Sequence, residues 1–144
     1  MDHVAIMRKS WGLLPKILGG EKTIESRFYK NKVAPWNKIF KGDTVYFKNS
    51  GEAVSVKAEI IRVLEISELD SEKTKKILET YGKDLGISRG QLKEFYKRIE
   101  ESRYAVLIFL DKARKIKSFQ ISKTGFGLQA AWICVPSIDQ VKIR

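Results

Sequence analysis

The stretch Ile17–Lys30, ILGGEKTIESRFYK, places several charged side chains directly after the end of an apolar segment. Two glycines close that segment, since glycine adopts the backbone angles that end a helix without steric strain. Polar and apolar residues then alternate, which predicts a β-strand because successive side chains of a strand point to opposite faces. The polar face of this strand would present Thr23, Glu25 and Arg27, with Lys22 immediately before it.

These side chains can bind an anion or pair with one another. Lys22 offers an ammonium, Arg27 offers a planar guanidinium that fits phosphate or carboxylate, and Glu25 can orient either cation. The alternative is a salt bridge between Glu25 and Arg27 on the wall of a barrel, because residues two apart share one strand face. The residues alone leave these two interpretations equally open.

The rest of the sequence predicts about seven short strands and few helices, hence an α+β, mainly β fold closed into a small barrel. One helix, with Ser10 as its cap, would precede the strand that contains Glu25 and Arg27. A helical pair would be inserted at Ser67–Ser102. Its helices would begin with the capping-box patterns Ser67–Asp70 and Ser88–Gln91.

Two apolar segments refine this strand pattern. A change of the buried face at Ile60–Ile61 predicts a β-bulge, which would let one long strand bend around the barrel. Tyr104–Leu110 is apolar on both faces and predicts a central strand, with Lys115–Ile121 as a separate strand. Val141–Ile143 could form a short edge strand, and Trp132 is expected in the core.

Length and composition predict a single folded domain spanning residues 1–144. The chain is 43% hydrophobic, which is enough for a core, and has no apolar run of the roughly 20 residues that span a bilayer. Its first residues lack the pattern of a secretory signal. Cys134 is the only cysteine, so no internal disulfide can form, and we expect a cytoplasmic protein without a membrane partner.

The charge balance indicates a polyanionic partner. The chain carries 28 Lys and Arg against 17 Asp and Glu, which gives a net charge of +11. Surface charge enrichment in heat-adapted proteins raises both signs together and does not explain this excess. A nucleic acid does, because each neutralised phosphate releases counterions. The alternative is a protein-interaction module whose charge is incidental, and the oligomeric state is left open.

Few residues of the chain could carry catalysis. His3 is the only histidine and Cys134 the only cysteine, so neither a histidine pair nor a tetrahedral metal site can be assembled. Cys134 stands in an apolar strand and is expected to be a small buried side chain. No glycine loop for a nucleotide cofactor is present, so the sequence predicts no metal and no cofactor. Gly125–Gly127, GFG, is expected to be a tight turn.

The opening stretch resembles the signature of the ASCH domain, a member of the PUA-like superfamily. That signature is an apolar helix end, one or two glycines, Lys-Thr, a Glu two positions on and an Arg two after that. The matching residues here are Gly19, Gly20, Lys22, Thr23, Glu25 and Arg27. The segments FKGDTVYF, AVLIFLDKARKI and TGFGLQAAWICV are similar to later strands of the family. The resemblance implies a PUA-like barrel whose cleft beside this strand accepts RNA or a nucleoside.

Two activities are associated with parts of this family, namely hydrolysis of an acylated cytidine by a Lys, a Thr and a Glu, and cleavage of RNA. In the hydrolase-like members the nucleophilic Thr stands three residues after the Lys, and that position is Glu25 here. Binding of RNA or a nucleoside is therefore the main prediction. A hydrolase that uses Lys22, Glu25 and Tyr29 as acid–base groups is the alternative, so catalysis stays open.

Aromatic and basic residues near the signature complete the predicted site. Trp36 follows a proline in a predicted loop and is the first candidate for stacking on a base, with Trp11 second. Basic residues on both sides of the signature could hold phosphates. The predicted binding residues are Lys22, Thr23, Glu25, Arg27, Tyr29, Trp36, Trp11, Arg8 and Lys9. Lys112–Lys117 could form a second basic edge, although a hairpin turn with solvated lysines is the favoured interpretation.

Overall fold

A computed structural model describes residues 1–127 and 129–143. Six strands form one sheet in the order β2-β5-β4-β3-β1-β6, and three helices pack on it. The elements are β1 (Asp2–Met7), α1 (Leu13–Leu18), β2 (Ile24–Tyr29), β3 (Thr44–Asn49), β4 (Val54–Ile66), α2 (Ser71–Tyr81), α3 (Leu92–Ile99), β5 (Tyr104–Phe119) and β6 (Trp132–Val135). The predicted mainly β architecture, with one early helix and an inserted pair, is confirmed.

The sheet is curled into a half-barrel with β2 and β6 at its two edges. β1 pairs in parallel with β3, and every other strand pair in the sheet is antiparallel. The pairing of β4 with β5 shifts register between Ile60 and Arg62, so the predicted bulge is confirmed. Bulges increase the local bend and twist of a strand, and the pairing of β4 with β5 has two further register shifts, at Val54/Val56 and Lys57/Glu59.

The strands of the second half differ from the prediction in two places. Residues 104–121 were predicted as two strands, but β5 is one strand that continues through Lys112. Lys112 takes a positive φ of 53°, and β5 stays paired with β4 on both sides of it. The possible edge strand Val141–Ile143 is reduced to one bridge between Ile121 and Lys142. The described chain therefore has six strands, because one irregular residue did not end β5.

The first helix begins later than the sequence predicts. Ser10 lies in a 3₁₀ turn, Lys9–Trp11, and the cap of α1 is Gly12, whose φ of 62° lies in the left-handed region that favours glycine. Gly20, with a φ of 81°, follows the end of α1 and turns the chain toward β2. The prediction of Ser10 as cap was wrong, because a tight turn ending at Gly12 separates Ser10 from the start of α1.

The inserted helices lie between β4 and β5. The Ser88–Gln91 capping box is confirmed. The prediction of a Ser67–Asp70 capping box was wrong, because the cap of α2 is Asp70 itself. The Asp70 carboxylate accepts from the backbone N–H of Lys73 at 2.8 Å. None of the helices in the described part of the chain combines the length and apolar character that crossing a bilayer demands.

Two apolar clusters cover the opposite faces of β5. Val106 and Ile108 belong to the cluster enclosed by the curled sheet, together with Phe47 and α1 residues. Ala105 and Leu107 point the other way, into a cluster formed with the inserted helices. This alternation confirms the prediction that Tyr104–Leu110, the first part of β5, is buried on both faces. It also presses the helical pair against β2 and β5, beside the charged residues of β2.

Candidate functional site

A cavity of about 370 Å³ opens between β1, β2 and the inserted helices. Its volume is within the range typical of small-molecule sites. The first cavity, as we name it, is lined by three groups of residues. The segment from the end of β1 to the start of α1 supplies Ile6, Met7, Arg8, Trp11 and Leu13. The segment before β2 and β2 itself supply Lys22 and Glu25–Tyr29. The insertion supplies Leu85, Ile87, Phe95, Arg98 and Ile99, and Ala131 completes the lining.

Lys22 lies in the floor of the first cavity and is almost completely buried, with 2% of its surface exposed. Its Nζ donates to the carbonyl oxygens of Ile24 at 2.8 Å and Leu85 at 2.7 Å, and lies 3.3 Å from Oε1 of Glu25. An ammonium has three donors, and these acceptors occupy all of them. Burial lowers the pKa of Lys22, while the Glu25 carboxylate opposes that shift.

Glu25 is the central anion of the floor and is 3% exposed. Its Oε1 accepts from the backbone N–H of Ser26 at 2.9 Å, and its Oε2 accepts from Nη2 of Arg27 at 3.2 Å. Burial favours the neutral acid, but the Lys22 and Arg27 cations outweigh it and hold the pKa of Glu25 below its usual range. The carboxylate therefore stays charged between two cations.

Arg27 is held by backbone as well as by Glu25. Its Nη1 donates to the carbonyl of Ala131 at 3.2 Å, and its Nη2 donates to the carbonyl of Ile6 at 3.4 Å and contacts Sδ of Met7 at 3.4 Å. Ile6 and Met7 belong to β1, and Ala131 immediately precedes the edge strand β6. Arg27 thus bridges from one edge of the sheet to the other, across the open side of the half-barrel. The internal salt bridge weighed from the sequence is formed.

Trp132 forms the surface beneath the Arg27 guanidinium, whose Cζ lies 5.0 Å from the ring centroid. The predicted core position of Trp132 is confirmed, since the residue is 4% exposed. Its Nε1 donates to Nδ1 of the fully buried His3 at 3.0 Å, and Nε2 of His3 lies 2.9 Å from Oδ2 of Asp43. Burial lowers the pKa of His3. The only histidine therefore orients a core indole.

An aromatic wall stands opposite this polar floor. Phe95 of α3 meets Trp11 and Phe28 edge to face, with ring centroids 5.9 Å apart in both pairs. The guanidinium of Arg98, one turn further along α3, lies over the Trp11 ring at 5.2 Å. Such T-shaped pairs and cation–π contacts hold ring planes in fixed orientations. The wall combines side chains far apart in sequence.

Two arginines at this cavity are free of acidic partners. Within the described residues, the side chains of Arg8 and Arg98 make neither a hydrogen bond nor an ion pair, and both residues are exposed. Lys9 behaves differently, because it points away and pairs with Glu52 at 2.6 Å. The cations available to an anion in the first cavity are therefore Arg8 and Arg98.

The structure brings together most of the predicted site residues and separates three of them. Lys22, Glu25, Arg27, Tyr29, Trp11 and Arg8 line the first cavity. Thr23 is exposed outside it, where its backbone N–H donates to Asp84. Trp36 packs edge-on against Tyr104 at 5.1 Å, and neither Trp36 nor Lys9 is among the lining residues.

Sequence reasoning missed Phe95 and Arg98 as site residues. In the sequence, Phe95 belongs to an apolar stripe with Leu92 and Ile99, and Arg98 lies three positions after Phe95, hence on the same helix face. An arginine next to an apolar stripe was the available signal. No cluster of three or more metal-ligating side chains occurs among residues 1–127 and 129–143.

Neither a protein-family model nor a curated protein matches the sequence. Solved structures do match the fold. The ASCH protein from Zymomonas mobilis superposes with a TM-score of 0.67 at 13% identity, over 96% of this chain and 90% of that one. The chain has the fold of an ASCH domain. The chain also superposes on the N-terminal domain of Staphylothermus marinus McrB, with a TM-score of 0.61 at 15% identity, over 96% of this chain and 90% of that one.

Proposed function

We propose that this ASCH-fold domain binds a nucleotide, free or within RNA, with the base in the first cavity. The observation that carries the proposal is the pairing of an aromatic wall with two arginines that lack acidic partners among the described residues. Base–aromatic stacking contributes roughly 1–3 kcal/mol per base. Arg8 and Arg98 lie where they can meet the attached phosphate, and guanidinium groups bind phosphate in a bidentate manner.

The buried triad of Lys22, Glu25 and Arg27 supports the ligand from below in this proposal. A carboxylate has about four lone-pair sites, and the contacts of Glu25 with Ser26, Lys22 and Arg27 leave room for one further donor. A base N–H is a donor of the right size. Lys22 and Arg27 therefore hold Glu25 charged and in place, while phosphate binding falls to the exposed arginines.

The charge of the chain supports a polyanion, RNA, as the natural source of that nucleotide. A net charge of +11 attracts a phosphate backbone over its whole length, and the affinity of such contacts falls steeply with salt. A protein partner held by apolar contacts would bind with little dependence on salt. The cytoplasmic location predicted from the single cysteine agrees with an RNA ligand.

The test is a titration of the protein with ribonucleotides and short RNAs at two salt concentrations. Arg98→Gln should weaken binding about tenfold, the loss expected for one charged phosphate contact. Lys97→Gln removes the same charge from the neighbouring position of α3, which is exposed and does not line the first cavity, so its affinity should stay within about twofold. Equal effects of the two substitutions would reduce the proposal to unspecific charge attraction.

A hydrolase of modified nucleosides is the second candidate, and the observation in its favour is the lowered pKa of Lys22 beside Glu25. A general base needs a free lone pair, whereas the Lys22 ammonium is occupied by three acceptors. Incubation with N4-acylated cytidines and with structured RNA, followed by chromatography, separates the two functions. Turnover that is lost in a folded Lys22→Ala variant would replace the binding proposal by catalysis.

A further inference from the structure

A second cavity of about 460 Å³ lies beside the first, on the far side of Tyr29 and Ala131. Both residues line both cavities. The other lining side chains that matter here are Lys38, Phe126 and Cys134, with Trp132 behind them. The two cavities therefore share one boundary, on the open side of the half-barrel.

The boundary between the cavities is fixed by Arg27. Its Nη1 donates to the carbonyl of Ala131 at 3.2 Å, and its positive charge acts on the nearby Tyr29 phenol and partly offsets the rise in the pKa of that group. Burial raises the pKa of Tyr29, so the phenol stays protonated at neutral pH. A ligand that crosses from one cavity to the other would pass over the uncharged Tyr29 phenol beside the Arg27 guanidinium.

The second cavity has the same chemistry as the first in a simpler form. Phe126 is 39% exposed at the tip of a turn whose flanking residues, Gly125 and Gly127, have φ values of 89° and 86°. These backbone angles favour glycine on both sides of the ring and present it to solvent. Lys38 has neither an ion pair nor a side-chain hydrogen bond in the part of the chain that the structure describes, and its charge faces the Cys134 thiol.

We infer that the second cavity binds the neighbouring nucleotide of the same strand, so that the ligand is a single-stranded polynucleotide and not a free nucleoside. The inference rests on the proposed function of the first cavity. Proteins that bind single strands combine a basic groove with aromatic rings on which successive bases stack. Here the rings are supplied by Trp11 and Phe95 on one side and Phe126 on the other, with Arg8, Arg98 and Lys38 as cations.

The experiment compares the 5′-monophosphates of adenosine, cytidine and uridine with the corresponding homopolymeric RNA tetramers. At least one tetramer should bind about tenfold more tightly than its monophosphate, the gain expected from a second stacked base. Phe126→Ala and Lys38→Gln should each remove most of this gain while leaving the monophosphate affinity within about twofold. Both substitutions are at exposed positions, and circular dichroism would verify the fold.

Two matched controls are available nearby. Phe40 is 59% exposed and Lys41 is exposed, and neither lines either of the two cavities. Phe40→Ala and Lys41→Gln should leave the affinity for the tetramer within about twofold. Equal affinities for monophosphate and tetramer, or no response to Phe126→Ala and Lys38→Gln, would overturn the second subsite and keep the nucleotide proposal. Absence of binding by all these ligands would overturn the proposed function itself.

Discussion

The indole N–H of Trp132 donates to Nδ1 of His3 at 3.0 Å, and this bond determines the protonation state of the histidine. An accepting Nδ1 carries no hydrogen, so the ring proton lies on Nε2, which donates to Asp43 at 2.9 Å. Both ring nitrogens are thus satisfied by the neutral imidazole. A second proton would have no acceptor and would break the bond to Trp132.

Stability should therefore decrease on mild acidification. Burial holds the pKa of His3 below its ordinary value, so below about pH 6.5 the unfolded chain takes up a proton that the folded protein does not. The free energy of unfolding should fall by up to about 1.4 kcal/mol per pH unit in this range. Urea unfolding at pH 7.5, 6.5 and 5.5 measures it, and His3→Gln should flatten the curve. The lowered carboxyl pKa values of Glu25 and Asp43 act only at more acidic pH.

Removal of the Glu25 carboxylate should destabilise the protein strongly. Glu25→Ala leaves the buried Lys22 without its carboxylate partner and close to the half-buried Arg27, and breaking a buried ion pair in this way costs about 3–5 kcal/mol. Glu52→Ala is the control, because it removes an exposed partner of Lys9, whose contribution should not exceed about 1 kcal/mol. Chemical unfolding of both variants gives the comparison. Equal losses would mean that the triad does not stabilise the fold.

Gly86 should be intolerant of substitution for two separable reasons. Its φ is +77°, and an added Cβ would lie 2.9 Å from the Cβ of Lys22. Gly51 has a φ of +80° with open space around it, so Gly51→Ala reports backbone strain alone, about 1–2 kcal/mol. Gly86→Ala should cost more because it also displaces Lys22. Gly90→Ala, with neither feature, should change the free energy of unfolding by less than about 0.5 kcal/mol.

Thr74 offers a stabilising substitution. Thr74 is fully buried on α2, the helix whose Ile77 and Leu78 belong to the apolar cluster of the insertion. Its Oγ1 has no hydrogen-bond partner among the described residues. Thr74→Val replaces the hydroxyl by a methyl of similar size, with little change in helix propensity. The free energy of unfolding should rise by about 1 kcal/mol, since an unsatisfied buried hydroxyl is removed. Thr74→Ser, which keeps the hydroxyl and loses the methyl, should be destabilising in the same assay.

Local features of the fold could be predicted from the sequence. The bulge at Ile60–Ile61, the capping box at Ser88–Gln91 and the strand at β2 each depend on residues within a few positions of one another. The continuity of β5 through Lys112 could not be predicted, because pairing with β4 holds a residue whose surroundings in sequence indicate a turn. Tertiary pairing overrides local preference at that position.

The site was predictable only in part for the same reason. The signature located Lys22, Glu25 and Arg27, but their charges suggested exposure, whereas the fold buries Lys22 and Glu25 by pairing them. The aromatic wall depends on α3 packing against β2, a contact between segments about 70 residues apart. No local pattern specifies which face of an inserted helix meets the strand. Arg98 therefore becomes a candidate for the proposed ligand contact only once its position in the fold is known.

The contact of Arg27 with Ala131 across the open side of the half-barrel has a thermodynamic consequence for any ligand of this protein. β2 and β6 are the two edge strands of the sheet, and Arg27 spans the gap between β2 and the segment before β6. A ligand bound over this gap contacts both edges of the sheet. Ligand binding and the stability of the contacts across the gap are therefore thermodynamically linked. Amide hydrogen exchange in β2 and β6 should consequently slow when a ligand is bound over the gap, while the exchange rates in the middle of β4 should not change.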